Sequence, residues 1–166
     1  MGETWTEDAA CLKHPFLGPD AWSEVLYGYP RNEGIQAALV CRFACPVRQQ
    51  CKDSGYRAKE MIAGGGWFNR HGYFNQDPEG KLELHQAAAY IGVPVSRLQS
   101  WVSRGKIAPA KRYGGRVWLL LTDVQELAKK HGPAHGTVQA WQLHQLRGEA
   151  QCADCASVEP YAYVYA

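Results

Sequence analysis

The six cysteines of this chain fall into two groups. Cys41, Cys45 and Cys51 crowd into CRFACPVRQQC, and Cys11 stands upstream in AACLKHP. Cys152 and Cys155 sit in QCADC near the C-terminus, behind His135 and His144. With no secretion leader in the acidic opening MGETWTEDAACLKHP, thiols clustered in this way point to metal or iron–sulfur ligation rather than to disulfides. Cys41 and Cys45 are four apart, so on a helix they project from one face. Cys51 follows after a second helix start, and Cys11 returns from far upstream to complete a set of four. Such a set can enclose tetrahedral zinc or an iron–sulfur cluster, and four cysteines alone do not decide between them. At the other end, Cys-x2-Cys is half a zinc knuckle, and His135 and His144 supply the remaining two ligands. His71, His85 and His131 have no ligand partners in the sequence and read as ordinary surface or core residues.

The elements that position these residues are short. At 166 residues the spread of motifs favours several small units. Each falls below about 80 residues, where a hydrophobic core is marginal and a metal helps. The expected division is 1–75, 76–131 and 132–166, mainly α and modular. A small helical domain comes first, then a winged helix-turn-helix with a short β-hairpin, then a small zinc module. In the first unit, apolar spacing predicts a helix over 32–44 capped by Asn32, and a second over 47–59. Gly64-Gly65-Gly66 forces a break, 67–74 reads as a short hairpin or loop, and 75–80 and 131–136 read as linkers. The terminal YAYVYA has no partner strand in the pattern.

Charge is uneven. Residues 81–131 carry nine Lys/Arg against three Asp/Glu, whereas the net charge of the whole chain is only +2. That concentration implies a polyanion partner. The same segment reads as helix 84–91, a Gly92-Val93-Pro94 turn, and helix 95–104 capped by Ser96. A hairpin over 107–121 with its tip at Tyr113-Gly114-Gly115-Arg116 follows, then a helix over 123–130 capped by Thr122. Ser96, Arg97, Gln99, Ser100 and Arg104 face outward as candidate DNA readers, and Lys111, Arg112 and Arg116 as wing contacts. No run approaches the roughly 20 apolar residues of a membrane span, so the expected location is the cytoplasm. No paired carboxylates with a His, nucleophile motif or phosphate-cradling loop is present, so no enzymatic role is expected.

Trp5, Ala9-Ala10-Cys11, Asp20-Ala21-Trp22, Cys45-Pro46-Val47-Arg48-Gln49-Gln50-Cys51 and the glycine turn with Trp67 resemble the WhiB-like family of actinobacteria and their phages, over residues 4–74. The resemblance implies a 4Fe–4S cluster on Cys11, Cys41, Cys45 and Cys51 and a response to oxygen or nitric oxide. It also implies binding to the principal sigma factor of RNA polymerase, with Trp67 and Phe68 at the partner surface. The family usually spaces its middle cysteines as CxxC and sets Trp before paired glycines. Here the spacing is CRFAC, and the glycines precede Trp67. Residues 82–130 resemble excisionase and MerR-like winged helix-turn-helix proteins in AAAYIGVPVSRLQSWVSRGKI and RYGGRVWLLLTDVQEL. The C-terminal stretch resembles a short zinc module of actinobacterial and phage proteins, with His135 where a Cys usually stands. The expectation is a redox-responsive regulator that binds sigma factor and DNA. An excisionase-type recombination accessory protein and an RNA polymerase-sequestering protein are the alternatives.

Overall fold

A computed structural model of the chain describes residues 4–54 and 58–158. The expectation of a mainly α fold is overturned: 15% of the chain is strand against 47% helix, arranged as three small antiparallel sheets among seven α-helices in the described residues. The hairpin expected over 107–121 is present, whereas the strands at 25–26, 29–30, 61–63 and 81–83 escaped the sequence reading because each is two or three residues long. A period-2 alternation needs at least about four residues to register.

Two 3-10 turns, Ala10–Leu12 and Pro19–Ser23, lead into a hairpin of β1 (Val25–Leu26) and β2 (Tyr29–Pro30). The first helix is α1 (Glu33–Leu39), which continues as a π-helical turn, Val40–Ala44, closed by Cys45 N–H donating to the Val40 carbonyl at 2.9 Å. Asn32 does not cap α1: its φ is 49° and its side chain makes no capping bond. Helix α2 (Arg48–Asp53) is shorter than the 47–59 expected, and 55–57 lie outside the described residues. A sheet in the order β3-β4-β5 follows, from Met61–Ala63, Gly66–Phe68 and Phe74–Asn75. Gly64 and Gly65 turn β3 into β4 with φ of 62° and 84°, the pair of positive angles that a two-residue hairpin demands.

The second segment takes the winged helix-turn-helix order. β6 (Lys81–Glu83) pairs with β8 (Arg116–Leu120), which pairs with β7 (Lys111–Tyr113). α3 (Leu84–Ile91) and α4 (Val95–Ser103) are joined through Gly92, whose φ of 85° closes α3. α5 (Leu121–His131) packs back on α3. Neither Ser96 nor Thr122 caps its helix; Pro94 and Leu120 occupy those positions without side-chain bonds. α6 (Val138–Arg147), capped by the Thr137 hydroxyl, and α7 (Ala153–Ala156) complete the described chain, and YAYVYA lies outside it.

The segments do not pack as separate beads. One core joins Trp22, Val25, Tyr29, Ala38, Val40 and Trp67 to Leu143 and Leu146 of α6. A second joins Leu82, Ile91, Leu98, Leu119 and Val124 to Leu39 of α1. α1 therefore has one face in each core. Gly148 closes α6 against the π turn so tightly that a Cβ there would drive into the Phe43 carbonyl.

Candidate metal centres and DNA-reading face

The C-terminal set is assembled as the sequence implies. The ligand atoms of His135, His144, Cys152 and Cys155 all lie within 4.8 Å of one another, a group that could hold a metal ion. His135 Nδ1 is 3.1 Å from Cys152 Sγ and 3.6 Å from Cys155 Sγ. α6 delivers His144, the N-terminus of α7 delivers the cysteines, and the loop between α5 and α6 delivers His135. Cys155 is fully buried, and desolvation raises its thiol pKa, while the Gly136 N–H at 3.4 Å works the other way. His144 is 8% exposed, and neither ring nitrogen has a hydrogen-bond partner. The Glu149 carboxylate lies 3.4 Å from its Nδ1, outside hydrogen-bond geometry, and itself pairs with Arg147 at 3.6 Å. An orphaned, buried imidazole costs stability unless something ligates it. The orphan nitrogens and the S2N2 donor set both fit a tetrahedral zinc.

The four N-terminal cysteines come from four places: a 3-10 turn (Cys11), the π turn (Cys41), the residue after it (Cys45) and α2 (Cys51). Cys41 is buried and Cys11 exposed, with Cys45 and Cys51 between. Burial pushes the Cys41 thiol up to about 12, and the charges of Cys45, Cys51 and Cys11 add to the rise. Burial likewise raises Cys11, with Cys45 and Cys51 contributing, and raises Cys51, with Cys45 contributing. Among the described residues these four thiols do not form a ligand group of the kind that the C-terminal set forms. The β3–β4 hairpin supplies donors: Gly65 N–H to Cys41 Sγ at 3.1 Å, and Gly64 N–H to Cys51. Thiols raised in this way stay protonated at neutral pH unless a metal displaces their protons.

On α4, Ser96, Arg97 and Gln99 are exposed and Ser100 partly so, while Leu98 is buried in the second core; Arg104, at the helix end, is exposed. The side chains expected to read DNA therefore share an outward face. The wing divides. Arg112 projects freely, and Lys111 is exposed with its Nζ 5.6 Å above the Trp118 ring. Arg116 is not a free wing contact: its guanidinium sits 4.2 Å over the ring of Tyr29, in the first segment. Trp67 and Phe68, expected at a partner surface, are buried. They are 4% and 8% exposed, and Trp67 Nε1 donates to the Gly28 carbonyl at 2.9 Å while its ring meets Tyr29 edge-on at 4.7 Å. Both rings are core, and the exposed aromatics beside them are Tyr73 and Phe74.

Asp77 went unrecognised because it sits in NQDPEG, whose composition reads as a solvated linker. It is 6% exposed. Its Oδ1 accepts from Tyr29 Oη at 3.2 Å and Trp118 Nε1 at 3.1 Å, its Oδ2 from Glu83 N–H at 3.4 Å, and Arg42 stands 3.8 Å away. Gln86, 1% exposed, donates to the same Tyr29 hydroxyl at 2.8 Å. Burial raises the Asp77 pKa, and the Trp118 and Glu83 bonds oppose the rise. No local sequence pattern marks a residue whose side-chain partners Tyr29 and Trp118 lie 48 and 41 positions away.

No family model, curated protein or solved structure matches the chain. No helix among the described residues is long and apolar enough to cross a membrane.

Proposed function

We propose that the chain is a WhiB-like, redox-responsive transcriptional regulator that holds a 4Fe–4S cluster on Cys11, Cys41, Cys45 and Cys51, zinc on its C-terminal set, and DNA on α4. The observation that supports the reading is the aim of the Gly64 and Gly65 N–H groups at the sulfurs of Cys51 and Cys41, two of the four cysteines. Backbone N–H groups aimed at sulfur are what a ligated cluster uses to tune its potential. The π turn also answers the CRFAC spacing. A π turn absorbs one extra residue in a helix, so three intervening residues still leave Cys41 and Cys45 flanking one site.

When bound, the cluster supplies an oxidant-labile iron–sulfur centre. The protein's own part is to bury Cys41, to offer the Gly64 and Gly65 donors, and to tether Cys11 to the rest. Zinc held by His135, His144, Cys152 and Cys155 would supply a structural link between α6 and α7. The basic 81–131 segment, with the exposed Arg97 and Arg104 on α4, supports DNA as the partner. With Trp67 and Phe68 interior, the exposed Tyr73 and Phe74 are the neighbouring aromatics that support a sigma-factor contact.

Anaerobic purification with iron, sulfide and zinc analysis tests the reading. The expected protein is brown, loses its colour on exposure to oxygen or nitric oxide, holds one zinc in addition, and co-purifies with sigma factor. A colourless protein with zinc on both cysteine sets refutes the cluster.

A further inference from the structure

The π turn Val40–Ala44 is where all three segments meet. Cys41 lies within it and Cys45 closes it. Between them, Arg42 donates to the Lys81 carbonyl of β6 at 2.9 Å and faces Asp77 at 3.8 Å, and Phe43 packs edge-on against Tyr90 of α3 at 5.5 Å. On the other side Gly148 lies against the Phe43 carbonyl and Ala44. Arg147, one residue earlier, donates to the Tyr90 carbonyl at 2.9 Å and 2.6 Å. A shift of this turn cannot stay local, because close-packed contacts pass displacement on rather than absorb it.

Asp77 and Tyr29 fasten the other end of the same junction. Asp77 links Arg42 on the cysteine helix to Trp118 on β8 and Glu83 at the start of α3. Tyr29 links the first core to Gln86 of α3 and carries Arg116 of β8 on its ring. Both bridges end on β8 or α3, the strand and helix that hold α4 and the wing in place. A buried carboxylate with partners from both sides has no surface role, and its desolvation is costly unless those partners remain.

We propose that the π turn, fastened through Arg42 and Asp77, transmits occupancy of the four-cysteine site to the DNA-reading unit, so that loss of the inorganic centre alters the seating of α4 and the wing. This rests on the reading that Cys11, Cys41, Cys45 and Cys51 hold one such centre and that α4 binds DNA. The 3-10 turn that carries Cys11 lies against the π turn, so a centre shared by Cys11 and Cys41 would clamp the two together and its loss would release the outer support of Val40–Ala44. Arg42, midway between two ligands, then loses its fixed approach to Asp77. Arg42 and Asp77 are positioning residues in this scheme, neither ligands nor base readers.

A double-mutant cycle on the full chain tests it. Cys11→Ser removes the centre without touching the C-terminal metal group. Asp77→Asn keeps an oxygen for Trp118 and Tyr29 but cancels the charge facing Arg42. Arg42→Gln cuts the same link from the other side, should Asp77→Asn fail to fold. Hydrogen exchange of peptides covering 81–83 and 116–120, and affinity for a duplex at fixed salt, are measured for each chain. With Asp77 and Arg42 intact, Cys11→Ser should lower protection of both strands and change duplex affinity about fivefold or more, the lower end of ordinary coupling between sites. In the Asp77→Asn or Arg42→Gln chain, Cys11→Ser should change neither by more than about twofold. An undiminished effect in both variants, or no effect of Cys11→Ser on the two strands in the wild-type background, overturns the inference. Metal analysis separates this outcome from failure of the functional reading. Zinc in place of iron refutes the cluster while the exchange comparison still decides the coupling, and a chain with no metal on those cysteines overturns both.

Discussion

Replacing His144 by leucine should act with opposite signs on the metal-free and metal-loaded protein. His144 is buried with both ring nitrogens lacking a hydrogen-bond partner. An unsatisfied buried polar group costs about 1–3 kcal/mol, and here the nearby Glu149 carboxylate offsets part of the cost at Nδ1, so relief of Nε2 dominates. Leucine fits a position whose helix neighbours Leu143 and Leu146 already pack into the core. The metal-free variant should therefore gain about 1–2 kcal/mol, an upward shift in Tm of about 2–8 °C for a chain of this size. In excess zinc the order should reverse. A ligand at a thousand times its Kd stabilises by about 4 kcal/mol, and the variant forfeits most of that. Thermal melts of both proteins in chelator and in excess zinc make the comparison, and any zinc taken up by the N-terminal cysteines cancels in the difference. A leucine variant that melts lower than wild type in chelator, or that keeps the full zinc-induced rise, would refute the reasoning that His144 is an orphan awaiting a metal.

Three further outcomes follow from the geometry. Gly148→Ala combines a φ of 65° with a Cβ driven into the Phe43 carbonyl, so it should destabilise by about 2–4 kcal/mol and undock α6 from the π turn, read by urea unfolding; an unchanged midpoint would count against the close packing. Burial lowers the pKa of His14 from 6.5 to about 4, and its Nδ1 accepts from the Leu17 N–H at 3.3 Å. Because the folded-state value is depressed, its contribution to stability is complete above pH 6.5 and is lost as pH falls toward 4. His14→Asn, which keeps an acceptor but does not titrate, should flatten that part of the pH–stability profile. For DNA, Arg97→Ala should cost about 1–3 kcal/mol and relax sequence preference if the residue reads a base, whereas Arg112→Ala should weaken binding to all sequences and reduce the salt slope. Arg116→Ala should instead leave the salt slope alone and lower stability by about 0.5–2 kcal/mol through loss of the Tyr29 stack, and a reduced slope would restore Arg116 to the wing.

Residue type and spacing by themselves marked the C-terminal group that could hold a metal ion. Cys-x2-Cys behind two histidines named the C-terminal group, because metal ligation demands particular donor atoms and these are rare outside such sites. The helix-turn-helix order over 84–103 was equally legible, since helical periodicity and a glycine stop act over a few residues. Local pattern failed where partners are distant. β1 to β5 are too short to show alternation, and strand pairing is settled by contacts across the sheet rather than along the chain. Trp67, Phe68 and Arg116 looked like surface chemistry, yet core packing and an aromatic face closed over them. Asp77 carried the signature of a solvated linker, and only the convergence of Tyr29, Arg42, Glu83 and Trp118 made it a buried hub. The sequence alone determined the donor atoms and the helical frame. Tertiary structure decided which polar groups are buried, because burial depends on what the rest of the chain brings against a residue, and that cannot be read from its neighbours in sequence.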